Sequence, residues 1–416
     1  MPYFYLRKSC LFYVTELIEC EDFKLNGSIK TKLDSLIIFR NLLSLPVVKS
    51  LIRLVDTDKE NDDALVSAYS EFMYTMLSED TNLSGYLFRA VIEDENIYTS
   101  YRLSGRKRDD LYENMLDREL CILTEVSSYD GSDIRKIPIL SDMPAWRTEK
   151  IDFVSLYHEN MRNINTKGYG IFAKYHMFVI SPKGEIVPIK NPDPMTLDDL
   201  VGYERERGEV VTNTEAFLKS KNANNVLLYG DAGTGKSSTV KAIVNSMKNK
   251  GLRLIEFKKD QLSLIPKITE ELYNNPLKFI FFIDDLTFTS DDKDFCALKA
   301  TLEGGVTGRG NNTLIYATSN HRHMIKESAS NRQDSVNTAD MIQETVSLSA
   351  RFGLTVTYLK TDREGFSRIV CELARRKGID MNEEELVMQA EAFALRGGGR
   401  NPRTAKQFID MLLTKD

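Results

Sequence analysis

Cysteine is scarce and scattered. The five present, Cys10, Cys20, Cys121, Cys296 and Cys371, form no C-x-x-C pair and no Cys/His spacing that would hold zinc. They are expected to be buried or free thiols in a reducing compartment. Long apolar runs are missing as well: nothing approaches the roughly 18 residues of a membrane span. The apolar patch behind Arg7 and Lys8 is broken by Glu16 and Glu19 before a signal-peptide core is complete. The expectation is a soluble, cytoplasmic protein without membrane contact. Surplus positive charge is also lacking. A net charge of -6 and a pI near 5.6 supply no global field for phosphate backbones, so nucleic acid has no support in the overall charge. The N-terminal half, up to about Asn160, shows no internal repeat and no catalytic constellation.

What is present is ordinary globular composition, 42% hydrophobic and 28% charged, which argues against a mainly disordered or fibrous chain. At roughly 100 to 200 residues per domain, two or three domains are expected. Up to about Asn160 the apolar periodicity is helical, with Leu33, Leu36, Ile37, Leu42 and Leu43 in one segment and Leu65, Tyr69, Phe72, Met73 and Met76 in another. Ile171 to Ile180, the turn Ser181-Pro182-Lys183-Gly184 and Glu185-Ile186-Val187 predict a β-hairpin. Asn191-Pro192-Asp193-Pro194 predicts a linker, because each proline biases the residue before it away from helix. Beyond it, strand-like runs at Val226 to Tyr229, Leu252 to Phe257, Phe279 to Ile283, Thr313 to Ala317 and Thr355 to Tyr358 alternate with helical stretches, which predicts a parallel α/β sheet. From Thr361 the pattern is helical, with starts signed by Thr361 and Glu364, by Asn382 and Glu385, and by Asn401-Pro402. The expected division is a helical domain over 1–165, hairpin and linker over 166–195, an α/β domain over 196–360 and a helical lid over 361–416.

The strongest chemical signal is Gly230-Asp231-Ala232-Gly233-Thr234-Gly235-Lys236-Ser237, followed by Ser238. It matches G-x-x-x-x-G-K-[ST] and lies between the strand Asn225 to Tyr229 and a helical run. Glycines let the backbone curl until its N–H groups point at a phosphate chain, and the following helix adds the positive end of its dipole. In that setting Lys236 meets the β and γ phosphates of ATP, and the Ser237 hydroxyl ligates Mg2+. A second signal is the apolar run Phe279 to Ile283 ending in Asp284-Asp285. Asp284 at the strand end is the candidate magnesium ligand. Asp285 is the candidate group that polarises the attacking water, about 1.5 Å shorter in reach than a glutamate, which predicts slow turnover.

These features together resemble the AAA+ superfamily. Asp198 to Tyr203 resembles the segment that wraps adenine, with Val201 and Gly202 as the cofactor-binding candidates. Asn320, closing Thr313 to Asn320, matches the first sensor. Ser347 to Gly353 resembles the arginine-finger segment, with Arg351 as the finger, and Gly399-Arg400-Asn401-Pro402-Arg403 matches the second sensor through Arg403, with Arg400 as the substitute. Within the superfamily, Asp284-Asp285-Leu286, Leu302-Glu303-Gly304-Gly305, Ala317 to His323 and Leu348 to Gly353 are most similar to a bacterial family of ATP-binding proteins with the domain of unknown function 815. Ala350 stands where an acid is expected in that family's finger segment.

The resemblance implies an AAA+ P-loop module, a five-stranded parallel sheet with a C-terminal helical lid, acting as a magnesium-dependent ATPase in a homo-oligomer. His321 and His323 form an H-x-H without a third ligand, so a structural role is expected there, and the polar stretch Glu327 to Asp340 is expected to be a surface loop. Asn249-Lys250-Gly251-Leu252 lacks the aspartate of a guanine reader, and Phe257 to Leu262 lacks the aromatic, apolar and glycine series of a threading unfoldase. Remodelling or assembly of a protein partner by ATP hydrolysis is the leading expectation. A helicase-loader-like ATPase near nucleic acid and a nucleotide-gated scaffold with little turnover are the alternatives.

Overall fold

A computed structural model describes residues 27–287, 298–299, 302, 311–320 and 350–414. His321, His323, the stretch Glu327 to Asp340 and the start of the finger segment lie outside the described residues. Contacts divide the chain into two compact units between Asn163 and Ile164, ahead of the proline-rich segment expected to be the main boundary.

The first unit is helical, as its periodicity requires. Its longer helices are α1 (Pro46–Asp56), α2 (Asp62–Glu79), α3 (Leu83–Glu93), α4 (Asp110–Ser127) and α5 (Phe153–Arg162). Pro46 supplies the pre-set first turn of α1, and Asn61, Asn82, Asp109 and Asp152 cap the others by accepting a backbone N–H of the first turn. Leu65, Tyr69, Phe72, Met73 and Met76 all face the core from α2. Trp146 packs edge-on against Phe72 at 4.7 Å.

The continuous helix suggested by Leu33 to Leu43 does not form. A short helix, Ile29–Asp34, stops at Ser35, and Arg40–Ser44 is a 3₁₀ turn. The cause is Glu119. Its carboxylate, wholly buried on α4, accepts the N–H groups of Ile37, Ile38 and Phe39 at 2.8 to 3.2 Å, drawing these donors away from a helical ladder. Replacing Glu119 with leucine would strand three backbone donors, each costing about 1 to 3 kcal/mol. The expected result is a fall in unfolding free energy of at least about 3 kcal/mol, read from urea denaturation. An unchanged midpoint would contradict this account. Cys121, two residues further along α4, is buried, and Cys371 is free, the latter in line with the expectation of buried or free thiols.

The second unit is built on a seven-stranded sheet: β1 (Met177–Ile180), β2 (Ile186–Pro188), β3 (Val226–Gly230), β4 (Leu252–Phe257), β5 (Lys278–Ile283), β6 (Thr313–Ser319) and β7 (Leu354–Tyr358), in the order β2-β1-β4-β5-β6-β3-β7. Every pairing is parallel except the β1/β2 hairpin. The strands β7-β3-β6-β5-β4 form a parallel core, extended at one edge by the β1/β2 hairpin. Both faces of the central strands are covered, so these are apolar on both sides: on β5, Phe279, Phe281 and Ile283 enter one core while Ile280 and Phe282 enter the other.

The hairpin departs from expectation in two ways. Ile171–Lys174 is a helical turn, not strand, because Phe172 turns in to pack on Phe178 and Phe279 and its carbonyl accepts the buried Arg253 guanidinium at 2.8 Å. Burial lowers the pKa of Arg253 to about 10. The hairpin is also no separate connector, since β1 pairs with β4 and the sheet has seven strands where five were expected. Helices α6 (Glu204–Leu218), α7 (Lys236–Met247) and α8 (Ile265–Glu271) cover the sheet, and α9 (Arg363–Lys377), α10 (Glu383–Arg396) and α11 (Pro402–Leu413) form the lid with its own core. Asn382 and Asn401 cap as expected. The cap of α9 is Asp362, which accepts the Gly365 N–H, in place of Thr361.

Candidate functional site

β3 ends at Gly230, and α7 begins at Lys236, so the intervening loop curls at the carboxyl edge of the sheet. The curl requires glycine. Gly230 has φ 138°, and a Cβ there would lie 2.0 Å from the Tyr358 carbonyl oxygen; Gly233 has φ 81°, and a Cβ would lie 2.7 Å from Asn401 Oδ1. Asp231 ties the loop to the strand beside it, donating its N–H to the Tyr358 carbonyl at 2.9 Å and accepting the Lys360 N–H at 2.8 Å.

Lys236 is buried, with its Nζ donating to the carbonyls of Gly230 and Asp231 at 2.9 and 2.8 Å and to Asn320 Oδ1 at 2.9 Å. Burial holds its pKa below the ordinary lysine value, while Asp231, Asp285 and Asp284 pull the other way. The Ser237 hydroxyl donates to Asp284 Oδ1 at 2.6 Å, and so does the Thr318 hydroxyl at 2.6 Å. Asn320 donates through Nδ2 to Asp285 Oδ1 at 2.7 Å. Asp285 itself takes the left-handed φ of 52°.

Phosphate-loop cation, hydroxyl and both carboxylates therefore converge at one end of a cavity of about 1030 Å³. Val201, Gly202, Ala232, Gly233, Thr234, Gly235, Lys236, Ser237, Ser238, Asp284, Asp285, Asn320 and Arg403 all line it. Gly230, Asp231 and Arg351 do not. The first two serve through their carbonyls on Lys236. Arg351 precedes β7, whose register against β3 runs from Val226↔Leu354 to Gly230↔Tyr358. It thus precedes β7 at the end of the strands opposite the phosphate loop, and the paired register between those ends alone spans roughly 13 Å at 3.3 Å per residue.

The two second-sensor candidates, Arg400 and Arg403, sit differently. Arg400 is committed to Glu391 through paired contacts of 2.8 to 3.0 Å, whereas the Arg403 N–H donates to the Gly233 carbonyl at 3.2 Å and the residue lines the cavity.

Several lining residues escaped the sequence reading. Asp193, Pro194 and Met195, taken as linker, form cavity wall, held there by Asn245 Nδ2, which donates to the Asp193 and Met195 carbonyls at 2.8 and 2.7 Å. Ile369, Leu373 and Arg376 line it from α9; their i, i+4, i+7 spacing puts them on one helix face and was the available signal. Lys377 and Lys406 add further positive charge. Tyr203, also at a left-handed φ of 59°, lies against Tyr358 with ring centroids 5.1 Å apart. Thr318 was missed altogether.

The donor set suits magnesium and a nucleoside triphosphate. Ser237 and Asp284 offer hard oxygens within 2.6 Å of each other. Among the described residues no group of three or more His, Cys, Asp or Glu could hold a metal alone. Magnesium takes one or two protein oxygens and completes its shell with phosphates and water. No helix among the described residues is long and apolar enough to cross a membrane.

Residues 173–416 match the family described as Protein of unknown function (DUF815). No curated protein matches the chain. Among solved structures, the chain is similar to the RuvB Holliday junction branch migration motor of Thermotoga maritima, at 18% identity over 53% of this chain and 66% of that one, with a TM-score of 0.36. It is also similar to AMPPCP-bound DnaA from Aquifex aeolicus, at 18% identity over 54% and 66%, with a TM-score of 0.38. A katanin structure concerned with self-assembly matches at 15% identity over 53% and 70%, with a TM-score of 0.35. The chain thus spans about two thirds of the length of these structures, at levels of identity and superposition that carry no functional conclusion.

Proposed function

Since the chain belongs to the DUF815 family and has the AAA+ fold, we propose that it binds ATP with magnesium between the phosphate loop and the helical lid, and hydrolyses it at contacts between subunits of a homo-oligomer. The observation that carries this reading is the convergence of Lys236, Ser237, Asp284, Asp285 and Asn320 at one end of the cavity.

In this reading the backbone N–H groups from Ala232 to Ser237 cradle the β phosphate, and Lys236 exchanges its carbonyl and Asn320 contacts for phosphate oxygens. Ser237 and Asp284 would hold magnesium, which when bound would neutralise charge building on the phosphates. Asp285 orients the attacking water by accepting a hydrogen bond from it, and Asn320 steadies both that carboxylate and the γ phosphate. Arg403 brings positive charge from the lid. Arg351, which does not line its own cavity, serves the neighbouring subunit. Hydrolysis would then drive remodelling or assembly of a protein partner, the lid moving with the phosphates that Arg403 senses.

A ligand that binds only the folded state stabilises it by about 2.7 kcal/mol at 100 times its dissociation constant. Saturating ATP with magnesium is therefore expected to raise the melting temperature by roughly 5 to 10 °C, and ATP with a chelator by clearly less. Release of phosphate from ATP by the purified chain completes the test. No thermal shift at millimolar nucleotide, with no phosphate release, would remove the proposal.

A further inference from the structure

We infer that Thr318 is a positioning residue for hydrolysis, its hydroxyl locking the metal-facing and water-facing aspartates into one arrangement; the inference rests on the ATPase reading above. Thr318 is buried near the end of β6, and it meets the turn after β5 three times. Its Oγ1 accepts the Asp285 N–H at 2.9 Å, its hydroxyl proton goes to Asp284 Oδ1 at 2.6 Å, and its carbonyl accepts the Leu286 N–H at 2.7 Å. A hydroxyl has a single proton. Because the Asp285 backbone is itself a donor, that proton has one acceptor left, Asp284, and the direction of both bonds is set.

Two consequences follow. Asp284 Oδ1 already accepts from Ser237, so Thr318 is the second donor that fixes the rotation of this carboxylate. Asp285 holds a left-handed φ of 52°, a region that crowds the Cβ of any L-residue, and the bond from its N–H to Thr318 is what anchors the backbone there. Two residues on, Asn320 fixes the Asp285 side chain. Backbone and side chain of the water-facing acid are thus held by two groups from the same strand end. Neither Ser319 nor a residue on another strand makes these contacts among the described bonds.

The test is Thr318→Val, which keeps shape and removes the hydroxyl, with Thr318→Ser as the conservative control and Thr318→Ala as a second hydroxyl-free variant in case valine does not fold. Outer-shell partners of a metal ligand are typically worth about 10- to 100-fold in activity or metal affinity. Turnover in the valine and alanine variants should fall by that factor. The magnesium concentration for half-maximal rate should rise severalfold, while ATP affinity stays within about threefold; Thr318→Ser should recover most of the native rate. A merely structural role would lower the melting temperature and leave the magnesium dependence of the folded protein alone. Folded variants with native turnover and native magnesium dependence would overturn the inference while leaving the ATPase reading standing. A native chain that releases no phosphate would overturn both.

Discussion

Lys236→Ala should lose ATP binding by about 100-fold or more, since the phosphate chain would keep its backbone cradle but lose a charge-assisted partner worth roughly 1.5 to 3 kcal/mol per hydrogen bond. The site gives that cation no substitute at the same place. Lys236 Nζ lies within 2.9 Å of the Gly230 carbonyl and of Asn320 Oδ1, between the loop and the two strand ends, while Arg403 and Lys406 approach from the lid. The ammonium is held at a desolvation cost, visible in its lowered pKa, so its removal should spare the fold. Equilibrium titration with labelled ATP, alongside a thermal melt of the variant, checks both halves. Native affinity in a folded variant would remove the phosphate-loop assignment.

Arg351→Ala should leave ATP affinity nearly native and slow hydrolysis by about 10³ to 10⁵, the usual worth of an arginine that stabilises charge in the transition state. The geometry makes the sharper experiment possible. Because β7 runs parallel to β3, Arg351 before Leu354 and the loop after Gly230 occupy opposite ends of the strands. Arg351 does not line its own subunit's cavity, and in the proposed mechanism it acts on a neighbour. Mixing Arg351→Ala with Lys236→Ala should restore activity wherever an intact phosphate loop from the first meets an intact arginine from the second. Silence in a mixture shown to exchange subunits, or native turnover in Arg351→Ala alone, would sink the intersubunit mechanism.

How much of this was legible beforehand depended on how locally each feature is encoded. The phosphate loop was readable because its chemistry is contiguous and its flanks declare themselves: an apolar run before it, a helical run after it, glycines at the two turns where a Cβ would strike Tyr358 and Asn401. The five core strands were readable for the same reason, since a strand buried on both faces is continuously apolar. Asp284 and Asp285 were readable as a strand end. Helix starts were readable where a side-chain cap accepts from its own first turn at Asn382 and Asn401, and off by one residue at α9, where Asp362 caps beside Thr361.

Apart from the cap of α9, the misses involve partners distant along the chain. Nothing near Leu33 to Leu43 announces that a glutamate on α4 will take three of its backbone N–H groups. The hairpin shows its own turn but not its pairing with β4, and the prolines that signal a linker are silent about Asn245, which holds that segment against the cavity. Arg400 and Arg403 differ little as letters; Glu391 on α10 separates them by engaging one.

By itself, then, the sequence determined most of the elements, the five core strands and the candidate phosphate-binding loop, because these are set by residues within a few positions of one another, where periodicity and φ/ψ preference act. Only the tertiary structure decided which side chains share a site. Thr318 meets Asp284 across 34 positions, and Lys236 meets Asn320 across 84. Such contacts arise from the lateral order of a parallel sheet, whose carboxyl ends are brought together by strand pairing and helix packing rather than by chain proximity.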